Sequence, residues 1–324
     1  MSVFDGVCNS CFSVFYIGCI ECGELLRQRD CSGPGPHAVY QRQDRHHQNP
    51  LCYACRAMAQ SGGDNYNTFW QPIPLDVSIA TYQRIRSKRK FGVEVETSRC
   101  NDFSELYGKT KFGCKTDCSV TGMEFPSPVL YGDEGFTEIE KLLAFASEND
   151  WRTNSDCGCH THYDMRDESN EQLYRIAYAY AKTYRFWASC VSSYRRENNY
   201  CHAPGYTMQD IRRDYACGSG ANFKEFSHNY DRYDYVNLSA YSHHNTFEIR
   251  LLEGTVDAET ICNWVSIHAR FMDYVRDISF DDLDLFLAGQ PRHVFSTVAK
   301  IVDEIGINDW LACRIRNYSP GCLS

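Results

Sequence analysis

Phe91-Gly92-Val93-Glu94-Val95-Glu96-Thr97 is the stretch on which the reading turns. Val93 and Val95 alternate with Glu94 and Glu96, the two-residue period of a strand with one apolar face. Two carboxylates therefore project from the opposite face. A solvated strand surface would look the same, so the pair gains meaning only from similar segments elsewhere. Two recur: His160-Thr161-His162 and Glu248-Ile249-Arg250 also carry polar side chains at i and i+2. On strands each pair shares a face. Three such segments, built from acid, histidine and arginine, predict one sheet face lined for cations and phosphates. A fourth carboxylate, Glu124, stands in Gly122-Met123-Glu124-Phe125-Pro126-Ser127-Pro128. Carboxylates with an imidazole suit two or three divalent ions bridged by nucleotide phosphates, and magnesium (or manganese) favours such oxygen ligands. Zinc suits this set less, because carboxylates outnumber nitrogen and sulfur ligands.

The surrounding pattern mixes strands with helices. Thr137-Glu138-Ile139-Glu140 reads as a capping box opening a short helix through Phe145, and Ser169 with Gln172 opens a longer one. In that longer helix Leu173, Ile176, Ala177, Tyr180, Ala181, Tyr184, Trp187, Ala188 and Val191 follow helical spacing and predict a core-facing stripe. Residues 199–226 read as irregular, a candidate substrate lid. Tyr235–Leu238 and Thr246–Leu251 read as strands, and 257–276 as a third helix. After Pro291 the pattern predicts a short helix ending near Gly306, then another over Asp309–Arg316. Strands separated by long helices in uneven order predict an α+β fold with an antiparallel sheet. The boundaries expected are residues 1–65 for an N-terminal module, 66–90 for a linker that turns basic at its end, and 91–324 for the larger domain. Arg84-Ile85-Arg86-Ser87-Lys88-Arg89-Lys90 reads first as a solvated connector, with a phosphate- or partner-facing role as the alternative.

At 324 residues the chain can bury a sizeable core, and 43% hydrophobic with 23% charged residues excludes a disordered chain. No apolar run approaches the roughly 20 residues of a membrane helix, and the N-terminus lacks the basic start of a secretory signal. A cytoplasmic location, away from membranes, is the expectation. The net charge of −9 argues against a nucleic-acid partner. Residues 1–90 hold ten Lys/Arg against seven Asp/Glu and the remainder 23 against 35, so the acidity resides in the larger domain.

Seven of the 18 cysteines fall within the first 55 residues. Cys8/Cys11, Cys19/Cys22 and Cys52/Cys55 are C-x-x-C pairs, and Cys31 stands near His37. Two-residue spacing lets both thiolates reach one tetrahedral zinc, and a structural site takes two such pairs. Cys19, Cys22, Cys52 and Cys55 together predict a small treble-clef-like zinc domain. Cys8, Cys11, Cys31 and His37 could form a second site or replace one of those pairs. Such a module also suggests a protein partner. Cys157 and Cys159 flank the His-x-His segment and read as buried or loop thiols, with a zinc site as the alternative.

Five segments occur in the order seen in amidoligases, members of the glutamine synthetase and glutamate–cysteine ligase superfamily. They are Phe91–Glu96, the Asp117-x-Ser119 to Gly122-x-Glu124-x-x-Ser127-Pro128 run, Cys159–His162, Arg232-Tyr233-x-x-Val236-Asn237-Leu238, and Phe247–Arg250 followed by Gly254-Thr255-x-Asp257. The resemblance spans about Phe91 to Trp264. It implies a glutamine-synthetase-like antiparallel sheet with flanking helices. It also implies ATP-dependent ligation in which the carboxylate of a peptide, protein or amino acid is phosphorylated and an amine displaces the phosphate. By resemblance Glu94, Glu96, Glu124, His162 and Glu248 match metal-binding positions, with Glu96, Glu248 and Arg250 serving catalysis. Arg250 would neutralise the transferring phosphoryl group, and His160, Arg232, Tyr233 and Asn237 would line the nucleotide or substrate pocket. The competing readings are a metal-dependent amide hydrolase on the same fold and a zinc-finger adaptor with an inactive ligase-like domain.

Overall fold

The computed structural model describes residues 68–117, 119–196, 198–217, 222–287 and 291–319, and the backbone of three short antiparallel strand pairs within residues 3–52. The side chains of the eight candidate zinc ligands lie outside the described residues. The chain forms two units, one of residues 1–71 with 114–118, the other of 72–113 with 119–324. In the first, Thr68–Trp70 pairs antiparallel with Cys114–Lys115.

Among the described residues the second unit contains five strands: β1 (Phe91–Glu96), β2 (Glu124–Pro126), β3 (Gly158–Asp164), β4 (Val236–Asn237) and β5 (Thr246–Glu253). Their order is β4-β5-β3-β1-β2, with every neighbouring pair antiparallel. Ten helices accompany them among the described residues: α1 (Gly132–Glu148), α2 (Asn170–Ser189), α3 (Ser193–Arg196), α4 (Met208–Ala216), α5 (Phe223–His228), α6 (Ser239–His244), α7 (Ala258–Val275), α8 (Phe280–Phe286), α9 (Pro291–Val302) and α10 (Asn308–Tyr318). This is an α+β architecture with an antiparallel sheet. No helix among the described residues is long and apolar enough to cross a membrane.

Phe91, Val93 and Val95 are buried, so the apolar period of β1 faces the core. Phe91 meets Phe136 of α1 at 5.6 Å between ring centroids, and Tyr163 of β3 donates to the carbonyl of Val265 in α7. Behind them Trp187 of α2 packs on His268 of α7 at 4.3 Å. The capping box at Ser169 and Gln172 is formed and starts α2 at Asn170. Asp257 caps α7 by accepting from the Thr260 amide. With one face covered by helices, the sheet turns its polar face the other way.

Three expectations give way. Helix α1 begins at Gly132, five residues before the expected capping box, and Thr137 Oγ1 instead donates back to the Asp133 carbonyl. The Asp133 and Glu134 carboxylates accept amides of Thr81, Gln83 and Arg84 at 3.0–3.2 Å, so a segment about fifty residues earlier fixes this start. Gly132 has φ 63°, and a Cβ there would lie 2.4 Å from the Thr81 carbonyl, which leaves only glycine. Within the expected irregular stretch 199–226, the described residues 199–217 and 222–226 carry more helix than expected. Thr207 and Asp210 form a capping box for α4, and Asn222 caps α5. The stretch 84–90 is not a solvated connector: Ile85, Ser87 and Arg89 alternate inward. Arg89 reaches Glu168 at 2.6 Å, Asp273 at 2.7 Å and the Asp164 carbonyl at 2.8 Å.

Candidate functional site

Antiparallel register places the polar residues side by side, because directly paired residues point to the same face. Glu96 pairs with Glu124, Glu94 with His160, and His162 with both Gly92 and Glu248. Asn237 on β4 pairs with Glu248. The three segments singled out by their i, i+2 pattern thus share one face, joined by Glu124 and Asn237.

Glu248 is the hub. One carboxylate oxygen accepts from Arg250 and lies 3.5 Å from His160 Nδ1 and 3.9 Å from His162 Nε2. The other accepts from Asn237 Nδ2 at 2.6 Å. Asn237 is held in turn through its own oxygen by Ser239 Oγ at 2.6 Å and the Ala240 amide at 3.2 Å. His160 also stands 3.4 Å from Glu94 and 3.7 Å from Glu96. Glu96 accepts the Gly158 amide at 2.5 Å. His162 Nδ1 meets Thr246 Oγ1 at 3.2 Å, while its buried Nε2 closes no hydrogen bond and faces Glu94 at 3.8 Å.

Four carboxylates crowd one buried face, and burial disfavours their ionised form. For Glu248 that penalty is outweighed by Arg250, His162 and His160, which hold its carboxyl below the usual range. Burial likewise works against charge on His162, but Glu248 and Glu94 outweigh it and push its pKa up. Arg250 follows the same logic, stabilised by Glu248, Glu94 and Glu96. Glu94, His160 and Glu248 offer ligand atoms that all lie within 4.8 Å of one another. That donor set of carboxylates and imidazole, with an unsatisfied ring nitrogen beside it, fits a divalent cation. His160 and His162 both face the cluster, and His160 approaches Glu94 and Glu248 more closely.

Arg250 marks one end of the row. Its Nε donates to the Tyr200 carbonyl at 2.9 Å, and its guanidinium sits 5.7 Å from the Tyr233 ring. Arg232 lies exposed over Tyr233 at 5.4 Å, and Tyr200 meets that ring edge-on at 5.3 Å. His160 and Asn237 thus sit in the cluster and Tyr233 beside Arg250, while Arg232 stands over the Tyr233 ring.

The sequence did not signal Arg195. It is 1% exposed, donates to the Arg250 carbonyl at 2.6 Å, and leaves its Nε unsatisfied. Gly158 is its counterpart: a Cβ there would stand 2.6 Å from Arg195 Nη2 and 3.0 Å from His160 Nε2. A Ser-Tyr-Arg-Arg helix turn carries no local pattern that distinguishes a buried arginine from solvated ones. Cys159 pairs with Val95 and so faces the core, opposite His160 and His162. Cys157 is buried too, which pushes its thiol up to about 11. Both are buried thiols, and neither joins the histidines.

Residues 81–272 match a family model described as "Putative amidoligase enzyme". The match covers more than half of the chain and every residue of the site above, and the chain belongs to this amidoligase family. No curated protein matches the chain.

Proposed function

We propose that this chain is an ATP-dependent carboxylate–amine ligase that forms an amide or isopeptide bond through an acyl phosphate. The observation that carries this reading is the single sheet face on which Glu94, Glu96, Glu124, His160, His162 and Glu248 converge beside Arg250. The acid is a carboxylate of a peptide, protein or amino acid, and the second substrate is an amine. Magnesium or manganese held by Glu94, Glu96, Glu124, His162 and Glu248, with His160 within reach, would offset the charge of the β- and γ-phosphates.

A carboxylate oxygen of the acid attacks the terminal phosphorus, the bond to the β–γ bridging oxygen breaks, and ADP leaves. The amine nitrogen then attacks the acyl carbon. Phosphate departs with the electron pair of the C–O bond, and the amine gives up a proton. The chain's own contribution is positioning and charge neutralisation, which dominate phosphoryl transfer. Arg250 presents a fixed planar fork at the phosphoryl oxygens, held in place by Glu248, the Tyr200 carbonyl and the Tyr233 ring. Asn237 and the Gly158 amide fix the Glu248 and Glu96 carboxylates, so neither must reorganise during transfer.

Phosphorus NMR of the products tests the route. ADP and phosphate in equal amounts are expected, and AMP with pyrophosphate would replace this mechanism with adenylation. Arg250→Lys keeps the charge but loses the fork. Turnover is expected to fall by about 100-fold, with ATP binding weakened far less, because the fork acts where charge moves in the transition state.

A further inference from the structure

A cleft of about 390 Å³ opens at the end of the row away from Arg250. Its floor is Gly92, which stands in register with His162 and two residues before Glu94 on the same face of β1. Pro126, Pro128 and Val129 supply apolar wall, while Glu94 and His162 form its inner end. At the rim stand Lys90 and Arg166. Arg166 is forked onto Asp164 at 2.7 and 2.8 Å, so its charge is matched. Lys90 is exposed and forms no ion pair among the described residues; the carboxylate its charge reaches is Asp164, already forked by Arg166, so two cations share one carboxylate at this rim. A cation kept at the rim of such a site is placed to receive an anionic group.

Phosphoryl transfer needs the acceptor and the leaving group roughly in line, on opposite sides of the phosphorus. Arg250, Tyr233 and Tyr200 occupy one end of the row and the cleft the other. The cation and aromatic rings at the Arg250 end suit the nucleotide, which leaves the cleft at the other end for the acceptor carboxylate to enter over Gly92. We propose, resting on the ligase reading above, that this cleft binds the acid substrate. We further propose that the acid carries a second anionic group, one short apolar spacer from the reacting carboxylate, which pairs with Lys90. The volume is at the small end of ligand sites and suits a single amino-acid-sized acid or the terminal residue of a peptide.

Gly92 gives a means of closing the cleft. A Cβ at 92 would meet His162 Cβ and Ser127 Oγ at 3.7 Å, an ordinary contact, so the backbone tolerates a side chain whose outer atoms then fill the space. The experiment uses the full chain with MgATP and hydroxylamine, which traps an acyl phosphate as a hydroxamate. Succinate, glutarate, aspartate and glutamate are compared with butyrate and pentanoate, and binding of a non-hydrolysable ATP analogue is measured in parallel. The dicarboxylates are expected to give hydroxamate and the monocarboxylates at least about tenfold less, the worth of one charge-assisted pair. Lys90→Ala should raise the half-saturating dicarboxylate concentration by about tenfold with analogue binding unchanged, and Lys88→Ala, on the exposed face outside the cleft, should do neither. Gly92→Leu should lose hydroxamate and keep analogue binding, which also shows that it folds. Loss of analogue binding in Lys90→Ala would make the cleft the nucleotide's and overturn the proposal. So would equal use of monocarboxylates, or analogue binding with no hydroxamate from any dicarboxylate. Hydroxamate formation indifferent to Lys90→Ala and Gly92→Leu would overturn the cleft alone. A wild-type chain that neither binds the analogue with magnesium nor forms hydroxamate would refute the ligase reading itself.

Discussion

Glu248→Gln tests the hub and the cation site together, because the two consequences have different sizes and different triggers. Glu248 is 4% exposed and Arg250 7%. Removing one partner of a buried pair costs about 3–5 kcal/mol, since the other charge is left desolvated. Two features of this site reduce that figure. Glu94 and Glu96 also stabilise the Arg250 charge, and deleting one of four crowded carboxylates relieves repulsion among the rest. The glutamine oxygen can still accept from Asn237. A net loss of about 2–3 kcal/mol is expected, equal to about 4–12 °C in Tm for a unit of this size.

The second consequence appears only with ligand. Saturating MgATP at 100-fold over Kd should stabilise the wild type by about 2.7 kcal/mol. In Glu248→Gln that increment should vanish, because a neutral amide is a poor ligand for a hard divalent cation. Thermal unfolding with EDTA, with magnesium and with MgATP separates the two effects. The acid limb adds a third readout. Burial opposes ionisation of Glu248, but Arg250 and the histidines outweigh it and lower its pKa. Its charge therefore stabilises the fold above the unfolded carboxyl's pKa, and that contribution is lost as pH falls through the folded value. The variant should lack this part of the acid-induced loss. A variant that melts with the wild type in EDTA would refute the hub. One that gains as much from MgATP would refute the cation site.

Three further outcomes follow from other parts of the chain. Asp234 is buried with one oxygen unsatisfied, and burial pushes its pKa up to about 6 from the usual 3.8. Between those values the native state holds a proton that the unfolded chain has lost, so stability falls as pH rises through the window. Asp234→Asn should remove that fall and stabilise the protein above pH 6 by about 1–2 kcal/mol after allowance for solvent screening; parallel pH dependence in urea unfolding would refute it. Arg89→Met should cost about 3 kcal/mol in urea unfolding, because Glu168 and Asp273 lose a buried cation, and a loss under about 1 kcal/mol would show that Arg276 compensates at Glu168. At the N-terminus, metal analysis should find at least one zinc per chain, lowered by Cys19→Ser with Cys52→Ser; a zinc-free folded protein would refute the module.

What the sequence reveals about this site depends on whether a feature is written in a local period. The pairs at 94/96, 160/162 and 248/250 were legible because strand geometry alone puts i and i+2 on one face. No tertiary knowledge is needed for that, and register then only has to bring three such faces together. Helix α2 was legible for the same reason, through its capping box and its 3.6-residue stripe. Features set by distant partners left no such trace. The start of α1 depends on amides of residues 81–84 that donate to the Asp133 and Glu134 carboxylates from about fifty residues away, so the local Thr137 signal misled. Arg89 sits in a basic run that looks solvated, and only the alternation of Ile85, Ser87 and Arg89 hints that odd positions turn inward. Arg195 is the clearest case. Its burial is set by the Arg250 carbonyl and by the missing side chain at Gly158, neither of which is a neighbour in sequence. The same holds for the cleft, whose floor is an absent side chain at Gly92. A sequence announces the side chains that do chemistry, while the space they act in is defined by positions that have none.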